Sequence, residues 1–547
     1  MANVILRVSA LLATAFALAL LYLRLPESGA RGERPLCEGC NVVVISFDTV
    51  RADHLGAYGY ERPTSPNVDA LASKSIVFDR AVSQAPWTLP AHGSMLSGLY
   101  PSRLGVLRYP ATRALPDKNP VLPEVFRAAG YATAGFTGGG FVSSHYGFDR
   151  GFDIYATRGR RFEHNLDATI DWIGEHKHQP FFLFFHGYDA HRPYYSKAGD
   201  KTAMGLAADV DADQGRYCLS DDRAVPDAAR LDNIVRYYDS SIHHGDRAIG
   251  VLLHTLEQMK MMDNTIILLT ADHGEEFFEH GNCDHVRFLY EESVHVPYML
   301  YVPRLVPDAR HIHGLVPASI SVARTLLDAV GIEHAMPGVT LLPMIQGKQR
   351  GFPVVYSEAD SAAGSLGSRG RTTAITKDNL KLISYIEEGD DEAYDLSEDP
   401  GELRPLPERN VAYLMRQTLR AWAASLSALP RPERVRDLKA EAGSRDEEDS
   451  TGTGGEEEYA EPDSGADSGA GEGNKSEKPS KRSQPGSAHR KPADSPKAKA
   501  SSKANPGGVP KRPKDSKTSR DAGAQDDEGT KMPKELEEDL KSLGYLE

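Results

Sequence analysis

Four stretches of the chain are apolar at nearly every position. They are Asn41–Phe47 (NVVVISF), Phe181–His186 (FFLFFH), Thr265–Thr270 (TIILLT) and the weaker Tyr131–Thr137 (YATAGFT). Runs of this length without alternation are typical of strands that are buried on both faces, as in parallel sheets. The pattern therefore predicts four strands of one buried sheet.

Segments with helical spacing lie between these runs. Ser65 and Pro66 suit the N-cap and the first turn of a helix, and residues 245–259 repeat apolar positions every three or four residues. Strands that alternate with helices predict a mostly parallel sheet covered by helices on both faces. We therefore expect an α/β fold over residues 40–335, built as a three-layer α/β/α sandwich.

The pattern changes after the predicted sandwich. Short apolar runs at 354–356, 372–375 and 380–385 alternate with polar positions and are separated by turn residues. Alternation of this kind is typical of an antiparallel sheet. Residues 336–430 are therefore predicted to form a small α+β subdomain, with a helix over 411–426 packed on its antiparallel sheet.

Both ends of the chain differ from this globular part. Residues 436–530 contain almost no large apolar side chain, which predicts a disordered tail, and residues 531–547 regain the spacing of an amphipathic helix. Near the N-terminus, the apolar run Val8–Leu23 predicts export to the periplasm or the extracellular space. This run suits either a cleaved signal peptide within residues 1–35 or an uncleaved membrane anchor over residues 4–25.

Charge and cysteine content narrow the classes of function. The formal net charge of −15 argues against nucleic acid as a partner. Cys37 and Cys40 form a C-x-x-C pair that suits redox chemistry or half of a zinc site, but no second pair completes a zinc site. A local disulfide or a pair of free thiols is the favoured interpretation.

Polar residues that can bind a metal ion follow the strongest predicted strands. Asp48 follows the first run, Asp272 and His273 follow the third, and His191 lies shortly after the second. Because the carboxyl ends of parallel strands meet at one edge of a sheet, we expect these side chains to converge. Two carboxylates and an imidazole suit one divalent metal ion, with zinc or manganese favoured by the donor set.

Thr88 precedes a short segment that is predicted to be a helix. Pro90 suits its first turn, and Gly98 suits its C-terminal cap. Two interpretations of Thr88 follow from this position: a helix cap, or a nucleophile whose hydroxyl is activated by the metal ion and by the positive end of the helix dipole. With metal-binding residues expected at the same edge of the sheet, we favour the nucleophile.

Residues 41–406 resemble the sulfatase family of the alkaline phosphatase superfamily. The resemblance rests on VVVISFDTVRADHLGAYGYERPTSPNVDALA, WTLPAHGSMLSGLYPSR, PFFLFFHGYDAHRPYY, TADHGEEFFEHG and HVRFLYEESVHVPYMLYVP, in that order along the chain. It implies the fold of that family, one bound divalent metal ion and the cleavage of sulfate esters.

The resemblance also implies roles for individual residues. Asp48, Asp272 and His273 fall on metal ligands, and Thr88 falls where the family places a nucleophile that also contacts the metal. His191 matches a histidine that binds the anionic group of the substrate, and His285 matches a basic residue of the active site. Arg51, His92 and His280 lie inside matching motifs and are candidates for substrate binding.

Three positions depart from the family pattern. Formylglycine sulfatases carry cysteine or serine followed by x-Pro-x-Arg, whereas this chain has Thr88 followed by Leu-Pro-Ala-His92. Threonine cannot be converted to formylglycine, so we expect no formylglycine here. The usual second acid after Asp48 is Thr49, and Leu104 stands where many relatives have histidine.

We therefore expect a metal-dependent hydrolase of sulfate esters with Thr88 as its nucleophile. The metal is zinc, manganese or calcium, since the family's sulfatases use calcium with asparagine at the position of His273. One alternative is a phosphoester hydrolase or phosphotransferase similar to phosphoethanolamine and glycerol-phosphate transferases, which also use a metal-bound threonine. The other is a binding protein that kept the fold without catalysis. The expected substrate is a sulfate or phosphate ester, for which a glycan or lipid of the cell envelope is a candidate.

Overall fold

The structure of the protein is a computed structural model. The structure describes residues 34–109, 113–208, 225–303, 305, 309–361, 370–407 and 411–428. The predictions for the export segment within residues 1–35, for the tail at 436–530 and for the terminal helix at 531–547 lie outside these residues, apart from residues 34 and 35. Within the described ranges, we found no helix long and apolar enough to span a bilayer.

The strands are short, between two and eight residues each. They are β1 (Asn41–Phe47), β2 (Ile76–Val82), β3 (Arg108–Tyr109), β4 (Ala132–Phe136), β5 (Ile154–Ala156), β6 (Phe181–Gly187), β7 (Thr265–Thr270), β8 (Glu276–Phe277), β9 (Cys283–Asp284), β10 (His295–Val296), β11 (Tyr298–Tyr301), β12 (Arg310–Pro317), β13 (Val355–Ser361), β14 (Arg371–Lys377), β15 (Leu380–Tyr385) and β16 (Asp390–Asp395).

The helices range from single turns to one of 31 residues. They are α1 (Pro66–Ala72), α2 (Thr88–Ser97), α3 (Pro101–Leu104), α4 (Leu122–Ala128), α5 (Phe162–His176), α6 (Ala198–Ala203), α7 (Ala228–Gln258), α8 (Glu291–Val294), α9 (Ala318–Val330), α10 (Leu342–Ile345) and α11 (Val411–Ala428). Short 3₁₀ turns lie at Ala52–His54, Gly56–Tyr58, Gly140–Val142, Ser144–Tyr146 and Met262–Asn264.

The large sheet contains nine strands in the order β10-β2-β11-β7-β1-β6-β4-β5, with β12 paired to β2. Its centre is parallel: Val43 of β1 lies between Leu183 of β6 and Ile267 of β7. β11 joins antiparallel between β7 and β2. The four predicted strands are all present in it, at β1, β4, β6 and β7, and the mostly parallel α/β fold is confirmed.

Helices flank this sheet in two groups. α1, α5 and α6 contact the long helix α7, whereas α3, α4 and α9 contact α2. The predicted helix over 245–259 is only the second half of α7. The first half was missed because buried polar residues, among them Asp239 and Ser240, interrupt its apolar pattern.

A second, small sheet has the order β16-β15-β14-β13-β3. β13 to β16 are antiparallel neighbours, and α11 packs on β14, β15 and β16, as predicted. The short strand β3 joins parallel to β13 from the first part of the chain. β3 therefore belongs to the small sheet although it precedes the boundary predicted near residue 335, and the other strands of that sheet follow the boundary. The domain boundary itself stays a prediction.

Candidate active site

The predicted metal-binding side chains lie together at one edge of the large sheet. Asp48 follows the end of β1, and Asp272 and His273 follow the end of its parallel neighbour β7. All three side chains are fully buried, and one ligand atom of each lies within 4.8 Å of the others. Topology thus brings together residues that are separated by more than 220 positions in the sequence.

The hydrogen bonds around these side chains fit a divalent cation. Oδ1 of Asp48 and Oδ2 of Asp272 are buried without a hydrogen-bond partner. The Nδ1–H of His273 donates to the carbonyl of Gly274 at 2.9 Å, which leaves the Nε2 lone pair 3.2 Å from Oδ2 of Asp272. Electron pairs that face each other in a dry site repel unless a cation lies between them, so these donors fit a metal ion.

The pKa values of the two carboxyl groups are shifted in opposite directions. Burial and the nearby charge of Asp272 raise the pKa of Asp48 well above its usual range. Burial would also raise the pKa of Asp272, but its interactions with the rings of His273 and His92 lower it below its usual range. A bound cation would keep both carboxylates ionised.

Thr88 is the first residue of α2, and its side chain does not cap that helix. The N-cap is Trp87, and no side chain caps the backbone there. Instead, Oγ1 of Thr88 lies 3.4 Å from Oδ2 of Asp48 and 3.4 Å from Nε2 of His273. The hydroxyl therefore contacts the candidate metal ligands, at the end of a helix whose free N–H groups and dipole favour an anion.

His92 lies one turn further along α2, beneath the site. Its Nδ1–H donates to the carbonyl of Thr88 at 2.9 Å and lies 3.3 Å from Oδ2 of Asp272, and its Nε2 accepts from the hydroxyl of Ser46 at 2.8 Å. The side chain is fully buried. Since both ring nitrogens are already bonded, this position does not support the prediction that His92 binds substrate.

His191 and His285 form one wall of the site. Their ring centroids are 5.1 Å apart, and the ring of His285 lies 4.4 Å from that of His273. The Nδ1–H of His191 donates to the carbonyl of Arg192, and that of His285 donates to Glu275 at 3.2 Å. Each Nε2 is therefore left available for a substrate.

The two histidines differ in charge. Burial lowers the pKa of His191 well below its usual range, and the charge of His285 lowers it further. Burial by itself would lower the pKa of His285, but the negative charges of Asp284 and Glu275 raise it well above the usual range. The wall therefore offers a charged imidazolium beside a neutral imidazole, which suits anion binding and proton donation.

Glu275, Asp284 and His285 form a further group of three possible metal ligands. Arg192 forms a salt bridge with Asp284 inside this group. Two carboxylates facing one guanidinium and one imidazolium balance in charge, so an ion-pair network explains this group without a second metal ion. Its effect is to keep His285 protonated beside the site.

Arg51 and His280 have their donors committed elsewhere. The guanidinium of Arg51 pairs with Asp53 at 2.8 Å and with Glu279. The ring of His280 stacks on Tyr290, with centroids 3.6 Å apart. Its Nδ1 contacts Glu292 at 2.6 Å, and its Nε2 contacts the carbonyl of Glu402. Their positions do not support the prediction that these two residues bind substrate.

One buried residue of the site was missed from the sequence. The Nε2 of His186 lies 3.3 Å from Oδ2 of Asp48, while its Nδ1 accepts from the N–H of Gly138. His186 ends a predicted strand, as the residue before Asp48 does. The rule that polar residues at strand ends converge should have included it.

The cysteine prediction is resolved by the structure. Cys37 and Cys40 are joined by a disulfide. Their sulfurs therefore do not contribute to a zinc site, and the favoured interpretation of a local pair is confirmed in its disulfide form.

The fold and the site together define a class of enzyme: an α/β ester hydrolase with candidate metal ligands at the carboxyl edge of its sheet. A family model described as "Sulfatase" matches residues 40–332, and one described as "N-sulphoglucosamine sulphohydrolase, C-terminal" matches residues 278–426. The chain belongs to the sulfatase family.

One curated relative is similar to this chain in sequence, and two solved structures at 18% identity share its fold. A Delta 4,5-hexuronate-2-O-sulfatase of Bacteroides thetaiotaomicron is 23% identical over 412 residues, which cover 67% of this chain and 84% of the relative. A solved structure in complex with its substrate, D-glucosamine-2-N,6-O-disulfate, superposes with a TM-score of 0.60 at 18% identity, over 73% of this chain and 100% of that chain. A phosphonate monoester hydrolase of Agrobacterium radiobacter superposes with a TM-score of 0.56 at 18% identity, over 73% and 95%.

Proposed function

We propose that this protein hydrolyses sulfate esters with Thr88 as its nucleophile and one divalent metal ion as its cofactor. Membership of the sulfatase family supports the class of reaction. The observation that carries the nucleophile is the contact of the Thr88 hydroxyl with both Asp48 and His273, 3.4 Å from each. A metal held by Asp48, Asp272 and His273 would activate this hydroxyl and stabilise charge on the sulfate oxygens.

The chain's own residues supply the remaining steps. The Thr88 hydroxyl loses its proton toward Oδ2 of Asp48 while its oxygen attacks sulfur. The bond between sulfur and the ester oxygen breaks, and the leaving oxygen takes a proton from Nε2 of His285. Water then gives a proton to Nε2 of His285 and attacks the sulfur of the threonine sulfate. The bond between sulfur and Oγ1 of Thr88 breaks, Oγ1 takes back the proton held by Asp48, and hydrogen sulfate leaves. His191 binds an oxygen of the transferred group through Nε2 once that nitrogen is protonated, which the negative charge of the bound substrate favours.

Substitution of Thr88 tests the proposal. In Thr88→Ala we expect turnover of an aryl sulfate to fall about a thousandfold or more, because the covalent step is lost, whereas Thr88→Ser keeps part of it. Rates would be measured with zinc, manganese and calcium supplied separately, and mass spectrometry of quenched enzyme would look for a sulfated Thr88. Full turnover by Thr88→Ala at equal metal content would show that the nucleophile is another group.

A phosphoester hydrolase or phosphotransferase is the second candidate. It is favoured by a threonine beside an Asp, Asp, His set and agrees with the fold shared with a phosphonate monoester hydrolase. A phosphate monoester and a phosphodiester assayed beside the aryl sulfate separate the two. Faster turnover of a phosphoester, lost in Thr88→Ala, would favour this second candidate.

The setting of the reaction is part of the proposal. The apolar run near the N-terminus supports action outside the cytoplasm, with residues 4–25 as a signal or an anchor. The names of the glycan-acting relatives support a sulfated glycan as the substrate.

A further inference from the structure

A basic loop lies at the edge of the sheet that carries the site. It joins β5 to α5 and reads Arg158-Gly159-Arg160-Arg161. β5 runs parallel to β4, and β4 to β6 and β1, so this loop leaves the same carboxyl edge as Asp48. Three arginines therefore follow the sheet at the same edge as a site that is expected to bind an anion.

Arg160 differs from Arg161 in its surroundings. Arg161 lies 3.5 Å from Glu163 and covers the ring of Tyr195. Arg160 is exposed, and no carboxylate of the described residues forms an ion pair with it. Its guanidinium instead lies over the ring of Tyr188, 5.0 Å from the ring centroid. Arg160 is thus held in place by stacking while its charge stays uncommitted.

Tyr188 connects Arg160 to the site. Its buried ring packs edge-on against His186, with centroids 4.6 Å apart, and against His191, with centroids 5.4 Å apart. The charge of Arg160 reaches these residues: it adds to the effects of burial and of His285 that lower the pKa of His191. Arg160 therefore contacts the ring of Tyr188, which in turn contacts two histidines of the site.

The site thus offers two positions for negatively charged groups, one over Thr88 and one at Arg160. The group that is cleaved must lie over Thr88, where His191 and His285 face it. Arg160 lies over the Tyr188 ring and not against His191 or His285, and is therefore placed for a different part of the substrate. The other arginine beside this wall, Arg192, is already paired with Asp284.

We propose that Arg160 binds a second negatively charged group of the substrate, a carboxylate or a second sulfate, beside the ester that is cleaved. The proposal rests on the proposed function, since that function places the cleaved ester over Thr88. It makes Arg160 a specificity residue that selects polyanionic esters, while the chemistry at Thr88 does not depend on it.

Binding of matched ligands tests this inference. In a Thr88→Ala background, calorimetry would compare phenyl sulfate with 3-carboxyphenyl and 4-carboxyphenyl sulfate. We expect at least one doubly charged ligand to bind about five- to tenfold more tightly than phenyl sulfate, and Arg160→Ala to remove that advantage. Arg160→Lys should keep part of it. Arg158→Ala, which removes an equal charge from the same loop, should leave the ratio unchanged.

The inference is wrong if the carboxylate gives no advantage when Arg160 is present. It is also wrong if Arg160→Ala weakens all three ligands equally, or if Arg158→Ala removes the advantage as well. Because binding is measured without turnover, this experiment can fail or succeed independently of the test of the proposed function. The parent chain with Thr88 intact could also fail to cleave any ester, while the affinity advantage of the doubly charged ligand still depends on Arg160. That result would reject the proposed reaction and keep the binding role of Arg160.

Discussion

Thr49 illustrates how single residues shape this site without being its ligands. It stands where the family usually has a second acid, and its backbone adopts a φ of 59°, which β-branched residues rarely do. Its hydroxyl donates to the carbonyl of Asp48 at 2.7 Å, and its N–H donates to Oδ1 of Asp272 at 3.3 Å. A strained turn thus replaces a ligand and orients the two acids that remain.

His92 is a positioning residue by the same reasoning. His92→Ala should weaken metal binding or kcat about 10- to 100-fold with little change in KM, because the hydrogen bonds that hold Thr88 and Asp272 are lost. His92→Asn, which can still donate to the carbonyl of Thr88, should recover part of this loss. Metal affinity by chelator competition and steady-state kinetics would measure both effects.

The control experiment for His92 tests whether the variants keep the stability of the parent chain. Thermal unfolding of the metal-free variants shows whether a loss of metal affinity reflects a damaged core. A change in KM alone, with metal affinity and kcat as in the parent chain, would instead make His92 a substrate-binding residue, as its place in the motif first indicated.

At the scale of elements, a buried charge network joins three helices. Asp200 of α6 accepts from His243 and His244 of α7 at 2.9 Å each. His244 also lies 3.2 Å from Glu163 of α5. Burial opposes the charge of His244, but its bonds to Asp200 and Glu163 raise its pKa to about 9. Its protonated form therefore stabilises the contact among the three helices.

This network makes stability depend on pH in a defined direction. The folded pKa of His244 lies above its unfolded value of about 6.5, so its contribution is complete below that pH and is lost as the pH rises through about 9. His244→Gln should lower the free energy of unfolding by about 2 kcal/mol at pH 6 and by much less at pH 10.

Urea unfolding at the two pH values measures this difference. His254→Gln, a substitution on the same helix outside the network, should show the same stability difference from the parent chain at both pH values. If His244→Gln lowered the free energy of unfolding by the same amount at both pH values, His244 would stabilise the fold through packing and not through its charge.

At the scale of the whole molecule, one buried lysine joins the small sheet to the catalytic part. The ammonium group of Lys381 on β15 lies 2.8 Å from Glu291 of α8 and 3.0 Å from Glu402. The side chains of Lys381 and Glu402 are fully buried. Separation of the two parts would remove this cation from Glu291 of the catalytic part, so the parts are expected to unfold together.

Removal of that lysine tests the connection. Lys381→Ala should lower the free energy of unfolding by about 3–5 kcal/mol, because two buried carboxylates lose their cation. Lys377→Ala, at an exposed lysine of the neighbouring strand, should change it by less than about 0.5 kcal/mol. Urea midpoints measure both, and equal midpoints for the two variants would contradict a connecting role for Lys381.

The sequence predicted those features that depend on local pattern and on topology. Continuous apolar runs identified β1, β6 and β7, because strands buried on both faces exclude polar residues throughout. The rule for the carboxyl ends of parallel strands then placed Asp48, Asp272 and His273 together. β2, with Asp79 and Arg80 in its middle, was missed because its pattern is interrupted where the strand is only half-buried.

Tertiary structure alone decided which partners each polar side chain contacts. His92 and Arg51 lie in matching motifs, yet one hydrogen-bonds beneath the site and the other pairs with two acids. Arg160 has no motif at all, and only the packing of Tyr188 places it beside the site. Such contacts join residues far apart in the chain, and they depend on rotamers and burial that no local pattern encodes. The sequence by itself therefore determined the sheet and the edge that carries the candidate metal ligands, whereas packing determined the contacts of each side chain around them.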